Sequence, residues 1–422
     1  MAHWFHRNVF KATAPVNFDL KLIAMDGEAL KICSDLKQSR ARLIQLFPDA
    51  NHAPETVDVA FNQYMAIFIG FLTSPDSKNT GVESKMRYSV LFKWTHTLLG
   101  NKPQLMRDSY FEGANMSYNV AIWYMKHAAM LAGKDDITME EAKEVHKCLR
   151  KAAGIFRFIQ SQYLPQLPGK QLEGGDLDPR VLSAYLTQCT AEAQEVTVAR
   201  AVELKHNPSL ISALSNETSK MFADAATVLA TVEQAKQWVL YLKIKAAFYE
   251  AYAYTFCGEN LLSQDKCGEA VRGLQEGQTS YKRAIELSKE YAKTKGPAPK
   301  VKPETHASFR RLSPLLNRTL EKCVRENGFI YHQKVPADPP ELEHKATYGL
   351  ASPEEFSMPS PCPLWNPASY AAFDDSKNAA ANDPTTSSNT AAKLEGELPA
   401  VKEAQVHQSS KDPKTESGCS IQ

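Results

Sequence analysis

The helical period of the apolar residues, which continues from about residue 27 to residue 328, is the feature that most constrains the fold. In the first stretch, Leu36, Leu43 and Phe47 are spaced for one apolar stripe along a helix. The same spacing predicts further helices at 54–73, 83–99, 107–132, 138–165, 178–206, 209–230, 233–262, 264–294 and 305–327. The chain is therefore predicted to be mainly all-α, with a helical body at 27–328.

One segment indicates how these helices are arranged. The small and aromatic residues at 247–254, followed by Gly258 and by the run at 267–270, have the spacing of a helix hairpin from a tetratricopeptide-type array. The period is not strictly that of such a repeat, and no second clear copy is present. These features favour an irregular helical solenoid over the alternative, a compact helical bundle.

Two regions fall outside the helical period. The first 25 residues combine aromatic and β-branched positions with Pro15 and Asp19, and predict one or two short strands or extended arms. After residue 328 prolines dominate, but aromatic residues such as Trp365 and Phe373 remain. A free linker has no need of such apolar groups, so residues 329–373 are predicted to form an extended segment packed on the helical body.

The composition changes again near the C-terminus. From residue 374 to residue 418 no aromatic residue is present, and Ala, Ser, Thr, Asn, Lys and Glu prevail. Such a composition cannot bury enough apolar surface to offset the entropy of ordering. The stretch 374–418 is therefore predicted to be a disordered tail.

The last four residues, Cys419–Gln422, fit the Cys-a-a-X prenylation box, and Gln at the final position favours a farnesyl group. A single lipid gives only marginal, reversible membrane attachment unless a second acyl chain or a polybasic patch assists it. Between Asp375 and Gly418 the tail offers five lysines against seven acidic residues, so it has no polybasic patch. A second contact must then come from the folded body or from a membrane-bound partner.

The balance of charge excludes one class of partner. Lys and Arg number 49, Asp and Glu number 48, and the net charge is +1, so no whole-chain field attracts nucleic acid. The N-terminus lacks the apolar stretch of a signal peptide, and no run approaches the roughly 18 apolar residues of a membrane span. A cytoplasmic monomer that reaches membrane through its lipid, without a nucleic-acid partner, is expected.

Motifs of catalysis and of metal binding are missing from the sequence. It contains no Gly-x-Ser-x-Gly, Gly-x-Gly-x-x-Gly, Walker-type or His-Glu-x-x-His pattern. The eight cysteines include no Cys-x-x-Cys pair and no finger-like Cys/His spacing. The protein is therefore predicted to be non-enzymatic, with no cofactor and no metal site.

A candidate binding surface is present on the helix predicted at 138–165. Lys143 and Lys147 belong to a basic cluster beside its apolar stripe, which fits either a solvated helix face or the cationic rim of an apolar groove. The short helix further along carries Leu210 and Leu214 among three apolar residues that cannot all face inward. At least one leucine is expected on an outer groove, where an amphipathic helix with an acidic edge would bind.

Two runs resemble a known family. The run Ala-Glu-Ala-Gln-Glu-Val at 191–196 and the run Asn-Gly-Phe-Ile-Tyr-His-Gln-Lys-Val-Pro at 327–336 resemble two signatures of the Bro domain, found in ALIX and its yeast relatives. The resemblance covers about residues 1–373. It implies one banana-shaped domain, a helical solenoid with a tetratricopeptide-like core and a small N-terminal β element.

The resemblance also implies a partner. Bro domains receive the C-terminal amphipathic helix of an ESCRT-III subunit, the charged multivesicular body protein of type four, and Lys143, Leu210 and Leu214 match positions of that groove. Thr197 stands where ALIX has a phenylalanine. Tyr348 is expected to widen the groove for a second subunit, of type five. Sites of action at endosomes and the nuclear envelope follow from the same resemblance.

These inferences combine into one predicted function, an ESCRT-associated adaptor that binds an ESCRT-III helix and is tethered by a farnesyl group on Cys419. The alternative is a prenyl-anchored helical scaffold for a different signalling peptide, for instance one from a phosphatase or a small-GTPase regulator. Binding to ESCRT-III peptides discriminates between the two.

Overall fold

The computed structural model describes residues 3–16, 18, 20, 23–75, 81–134, 136–169, 172–342, 349–374 and 396–404. Most of these residues are helical, which confirms the predicted mainly all-α class. Within the same ranges, no helix combines the length and the apolar character that crossing a bilayer requires.

The helices are α1 Gly27–Leu46, α2 Pro54–Leu72, α3 Ser109–Ala132, α4 Met139–Phe158, α5 Pro179–Glu203, α6 Pro208–Leu229, α7 Lys236–Ser263, α8 Cys267–Lys293, α9 Ala307–Glu326 and the short α10 Pro367–Ala371. From α3 to α9, each helix packs against the next one along the chain. A series of such neighbouring pairs is the arrangement of a helical solenoid, as predicted.

Local capping fixes where two of these helices begin. The Thr138 hydroxyl accepts a hydrogen bond from the Glu141 amide at 3.2 Å, while the Glu141 carboxylate accepts one from the Thr138 amide at 2.8 Å. This capping box starts α4. At the start of α6, the Asn207 side chain accepts from the Ser209 amide at 2.9 Å, and Pro208 occupies the first turn.

The helix predicted at 83–99 is wrong. Its second half belongs to an antiparallel hairpin formed by β1, Phe92–His96, and β2, Gly100–Met106. The residues of β1 are mostly aromatic or β-branched, and a fully buried Trp94 fixes one face of the strand against the core. Gly100 has a φ of +83°, which glycine adopts readily and which closes the turn.

The N-terminal arm, residues 3–16, is extended and joins this hairpin. Thr13 forms an antiparallel bridge with Trp94. The Thr95 amide donates a hydrogen bond to the Ala12 carbonyl at 2.9 Å, and the Ala12 amide donates to the Thr95 hydroxyl at 2.7 Å. The small β element therefore combines the N-terminal arm with strands that come much later in the sequence.

Buried ion pairs hold the N-terminal arm in the core. The Arg7 guanidinium donates to both carboxylate oxygens of Glu192, at 2.9 and 2.7 Å. The Lys11 ammonium lies 3.1 Å from a carboxylate oxygen of Asp176. All four side chains are buried, and a buried charge without its partner is strongly destabilising. Glu192 lies within the Bro-like run 191–196, so this part of the run serves the fold.

The C-terminal strap, residues 349–373, lies across the helical body and is irregular until α10. Trp365 packs against Gly70, where any side chain would collide with the indole ring. The indole N–H of Trp365 donates to the Ile67 carbonyl at 2.7 Å. Phe373 is buried at the end of the C-terminal strap and forms a backbone bridge with Ala24.

A second extended stretch, which we call the tail segment, comprises residues 396–404. Its backbone amides donate to the carbonyls of Asn101, at 3.1 Å, and Pro48, at 2.7 Å. Val401 is half-buried and packs on the core. The disorder predicted for 374–418 therefore does not hold for these nine residues, because they pair their backbone donors and bury an apolar side chain.

Candidate partner-binding groove

A groove between α4, α5 and α6 contains a cavity of about 610 Å³. Four residues singled out in the sequence come together here: Lys143, Thr197, Leu210 and Leu214. The remaining lining residues are His3, Ile137, Thr138, Met139, Ala142, His146, Val196, Ala199, Arg200, Ala201, Glu203, His206 and Gly349. The set is apolar at its centre and has charged residues at its rim, which suits an amphipathic ligand.

The α4 wall carries the cation predicted to meet the partner. The Lys143 side chain is 63% exposed, and its ammonium donates to Glu140 at 2.8 Å. Exposed ion pairs of this kind contribute little, so another carboxylate can replace Glu140. One turn further, burial and then the charge of Arg150 lower the pKa of His146 below its usual 6.5. At neutral pH His146 is therefore an uncharged part of the wall.

The α5 wall faces Lys143 with a second cation. The Arg200 guanidinium lies 3.2 Å from the Glu203 carboxylate and 3.9 Å from the Met139 sulfur of the opposite wall. Thr197, one turn before Arg200, is half-buried and small. The groove thus has cations on both walls and one acidic residue, Glu203, at its rim. Its charge favours a partner with acidic residues along its polar edge.

The floor of the groove is formed by α6. Leu210 is half-buried, whereas Leu214 is only 1% exposed and Ile211 points into the core. Leu210 and Leu214 are four positions apart, so they lie one above the other on the same helix face. Leu210 therefore corresponds to the outward leucine expected from the sequence, and Leu214 forms the buried base beneath it.

The C-terminal strap closes the groove beside this base. A side chain added at Gly349 would lie 3.6 Å from Leu214 and 3.8 Å from Thr197, and the φ of Gly349 is +80°. The Gln194 side chain fixes the strap at this point. Its amide N–H donates to the Gly349 carbonyl at 2.9 Å, and its oxygen accepts from the Ala351 amide at 2.6 Å.

Sequence reasoning missed the residues that position the C-terminal strap. Besides Gln194, Arg150 of α4 donates to the Ser352 carbonyl at 2.7 Å, and its own carbonyl accepts from the Glu354 amide at 3.0 Å. The sequence offered one signal for them, the polar Gln194 within the run 191–196, because a buried side-chain amide must find hydrogen-bond partners. Those partners are remote in sequence, so the run alone could not identify them.

One predicted site residue is not part of this arrangement, and two others cannot be placed in it or outside it, because the structure does not describe them. Lys147 is exposed on α4 and does not line the groove. Tyr348 and Cys419 lie outside the described residues. Among the residues that the structure does describe, no group of His, Cys, Asp and Glu side chains is arranged to hold a metal ion.

Known proteins resemble this chain over most of its length. The BRO1-like domain family matches residues 29–375. The "BRO1 domain-containing protein BROX" of Homo sapiens is 50% identical over 379 residues, which are 89% of this chain and 92% of that protein. The protein of the same name from Danio rerio is 46% identical over 423 residues, and the BROX homolog of Caenorhabditis elegans is 43% identical over 431 residues. These last two alignments cover all of both chains.

Solved structures share the fold. The structure titled "ALIX BRO1 CHMP4C complex" has a TM-score of 0.65 at 20% identity and covers 86% of this chain and 98% of its own. The structure titled "Structure basis for endosomal targeting by the Bro1 domain" has a TM-score of 0.61 at 17% identity, with 90% and 100% covered. The fold is thus the predicted banana-shaped helical solenoid. With the family match and the curated relatives, it follows that this chain belongs to the BRO1-like domain family.

Proposed function

We propose that this protein is a non-enzymatic adaptor of the ESCRT system. Its groove between α4, α5 and α6 receives the C-terminal amphipathic helix of an ESCRT-III subunit, a charged multivesicular body protein of type four. A farnesyl group on Cys419 adds a weak membrane contact. The observation that carries the proposal is the groove itself, with Leu210 and Leu214 at its floor and Lys143 and Arg200 on opposite walls.

The dimensions and charge of the groove support a helical ligand. A volume of about 610 Å³ accommodates several apolar side chains from one helix face, and the half-buried Leu210 offers them an apolar surface. The Lys143 and Arg200 cations then face the polar edge of that helix. An acidic edge would replace the weak surface pairs that these cations make with Glu140 and Glu203.

The relatives point in the same direction. One neighbour in fold was solved as a complex with CHMP4C, and another is described in terms of endosomal targeting. In this chain Thr197 leaves more room than the phenylalanine that ALIX carries, and we propose that the space admits a second subunit, of type five, with Tyr348 beside it. Endosomes and the nuclear envelope are the proposed sites of action.

The lipid and the groove are proposed to act together. One farnesyl chain gives marginal membrane binding, and the tail carries no polybasic patch. When the groove binds an ESCRT-III subunit that is already on the membrane, the second contact becomes intramolecular. Substitution of Cys419 by serine should therefore weaken membrane association strongly and leave peptide binding in solution unchanged.

The decisive experiment measures peptide binding by fluorescence anisotropy, with labelled C-terminal peptides from each charged multivesicular body protein. Leu210→Asp places a charge in the apolar contact and should weaken binding of the type-four peptide about thirtyfold or more. Leu210 is preferable to Leu214 because a charge at the fully buried Leu214 would also unfold the domain. Val228→Asp, on an exposed position of α6, is the matched control and should bind as the parent does.

A second pair of variants tests the direction of the charge. Lys143→Glu should weaken binding two- to fivefold and reduce its dependence on salt. Lys147→Glu makes the same change one turn along α4, outside the groove, and should have a smaller effect. Equal affinities for Leu210→Asp and Val228→Asp would refute the groove assignment. A parent protein that binds none of these peptides would favour the scaffold for another signalling peptide.

A further inference from the structure

The tail segment, residues 396–404, makes contacts that neither its composition nor the proposed adaptor role requires. It is extended, and its first contact with the body is at the hairpin turn near Asn101. Its last contact is at Pro48, just after α1. Between these two points, Val401 packs on the core, and the Glu403 carboxylate reaches Lys126.

The strongest contact joins Glu403 to Lys126 of α3. The Lys126 ammonium donates to both carboxylate oxygens of Glu403, at 2.9 and 2.8 Å. The Lys126 side chain is only 9% exposed, whereas that of Glu403 is 34% exposed. A cation sits deep in the body, and its partner carboxylate comes from a segment more than 270 positions later.

The surroundings of Lys126 show why this carboxylate matters. The ammonium lies 5.0 Å from the centre of the Phe10 ring, which offers a modest cation–π interaction. Burial lowers the pKa of Lys126, Glu403 raises it, and the charge of Arg7 lowers it further. Without Glu403, the described residues would leave a buried ammonium next to another cation, and such an arrangement is strongly unfavourable.

We infer that Lys126 and the Pro48 carbonyl form a docking site whose occupant is the acidic tail segment of this same chain. The segment acts as a clip that fastens the C-terminal tail to the body through the Lys126–Glu403 ion pair and two backbone hydrogen bonds. An extended stretch that offers a carboxylate to Lys126, half-buried aliphatic side chains to the core and backbone amides to the carbonyls of the body fits this surface, and residues 396–404 supply each of these features.

Docking changes the reach of the proposed lipid anchor, and this consequence rests on the proposed function. Cys419 follows Ala404 by 15 positions, but it follows the end of the C-terminal strap by about 45. As flexible coils, stretches of these lengths span about 20 Å and about 35–40 Å. The docked tail segment would thus hold the body about half as far from the bilayer.

The docking site also lies next to the groove. Glu403 and Ala404 line a cavity of about 370 Å³ together with His3. His3 in turn lines the partner-binding groove. The stretch that leads to Cys419 therefore starts beside the groove. A lipid on Cys419 and an ESCRT-III helix bound in the groove would then be attached to neighbouring parts of the body.

The test is hydrogen–deuterium exchange of the full-length protein, followed by mass spectrometry of peptides that cover 396–404. In the parent, the amides of Leu398 and Ala404 should exchange at least tenfold more slowly than in an unstructured peptide, because both are hydrogen-bonded. Glu403→Gln keeps the shape and removes the charge, so most of this protection should be lost. Glu397→Gln, at an exposed position of the same segment, should keep it.

Several outcomes would overturn the inference. One is unprotected exchange at 396–404 in the parent, and another is equal protection in Glu403→Gln and Glu397→Gln. Lys126→Met should release the tail segment as Glu403→Gln does, and its urea midpoint shows whether the body is still folded. Protection that appears only in dimers by light scattering would assign the docking site to a second copy of the chain.

A second experiment, on membranes, separately tests the distance between the body and the bilayer. Farnesylated protein on phosphatidylcholine bilayers, measured by neutron reflectometry, should lie closer to the bilayer than its Glu403→Gln variant. The exchange experiment needs no lipid. A failure of farnesylation would therefore remove the proposed anchor and leave the docking of 396–404 to be decided by exchange alone.

Discussion

The C-terminal strap and the tail segment both lie on the helical body as extended chain, but different forces hold them. The strap buries Trp365 against Gly70 and Phe373 in the core, and Gln194 pairs with its backbone. The tail segment has two half-buried aliphatic residues, Leu398 and Val401, and a single ion pair, Lys126–Glu403. We therefore expect the strap to stay in place as long as the body is folded, and the tail segment, which makes fewer contacts, to be released first.

The difference shows that an extended segment outside a β-sheet can be ordered in two ways. Burying an aromatic side chain stabilises by several kcal/mol and depends little on salt. An ion pair with one partly exposed partner stabilises less and is weakened by salt and by competing charges.

Trp365→Ala should lower the free energy of unfolding by about 3–5 kcal/mol, because it leaves a cavity beside Gly70 and removes the hydrogen bond to the Ile67 carbonyl. Urea denaturation followed by circular dichroism measures this loss. Phe329→Ala, at a side chain that is 81% exposed, should change stability by less than about 0.5 kcal/mol. Similar midpoints for the two variants would show that the strap is not fastened by its aromatic residues.

The N-terminal arm is a third extended segment, and its buried His6 should make the free energy of unfolding depend on pH. Burial lowers the pKa of His6 from 6.5 to about 3. The unfolded chain therefore binds a proton between these values and the folded chain does not, so stability is present above pH 6.5 and is lost as the pH falls toward 3. Between pH 7 and pH 5 the loss should be about 2 kcal/mol.

Urea midpoints at the two pH values measure this effect. His6→Gln should remove most of the difference between pH 7 and pH 5, whatever its effect on stability at pH 7. His206→Gln, at an exposed histidine, should keep the difference. A parent that is equally stable at both pH values would mean that His6 is not buried in neutral form.

The middle of the strap can be tested with a smaller change. A side chain at Gly154 of α4 would collide with the Glu354 carbonyl, so Gly154→Ala should displace the strap there at a net cost of about 1–2 kcal/mol. Hydrogen exchange of the Glu354 amide, which donates to the Arg150 carbonyl, reports the displacement. Gly328→Ala, where a side chain meets open space, is the control. Unchanged exchange at Glu354 would place the strap farther from α4.

The smallest effect concerns salt. Raising the ionic strength from 0.05 to 0.5 M should speed hydrogen exchange in the tail segment about two- to fivefold, because the Lys126–Glu403 pair is partly exposed. Exchange around Trp365 should not change. If both segments respond equally, the distinction between a permanent strap and a releasable tail segment fails.

The sequence predicted the helical parts of the fold well, for a local reason. The helix predicted at 54–73 is observed as Pro54–Leu72, because its apolar period and its proline in the first turn are both local signals. The helix predicted at 83–99 failed because apolar residues at 92–98 also fit a strand, and only the pairing with residues 100–106 decides between the two.

The residues of the groove likewise differ in whether a local sequence pattern could predict them. Lys143 and Leu210 carry local signals, a basic face beside an apolar stripe and a leucine that could not face inward with its neighbours. The contact of Gly349 with Leu214 depends on how the strap folds back, which no local pattern encodes. Glu403 likewise resembles any acidic residue of a polar tail until the buried Lys126 is seen beside it.

The contact between Gly349 and Leu214 joins positions that are 135 apart in the sequence. A messenger spliced to end before Gly349 would still encode all of α4, α5 and α6, yet its product would lack both the cover beside Leu214 and the aromatic residues that fasten the strap. Alternative splicing or a premature stop at this end would therefore destabilise the body and open the proposed groove together, although every amino acid of the helices that line the groove is kept.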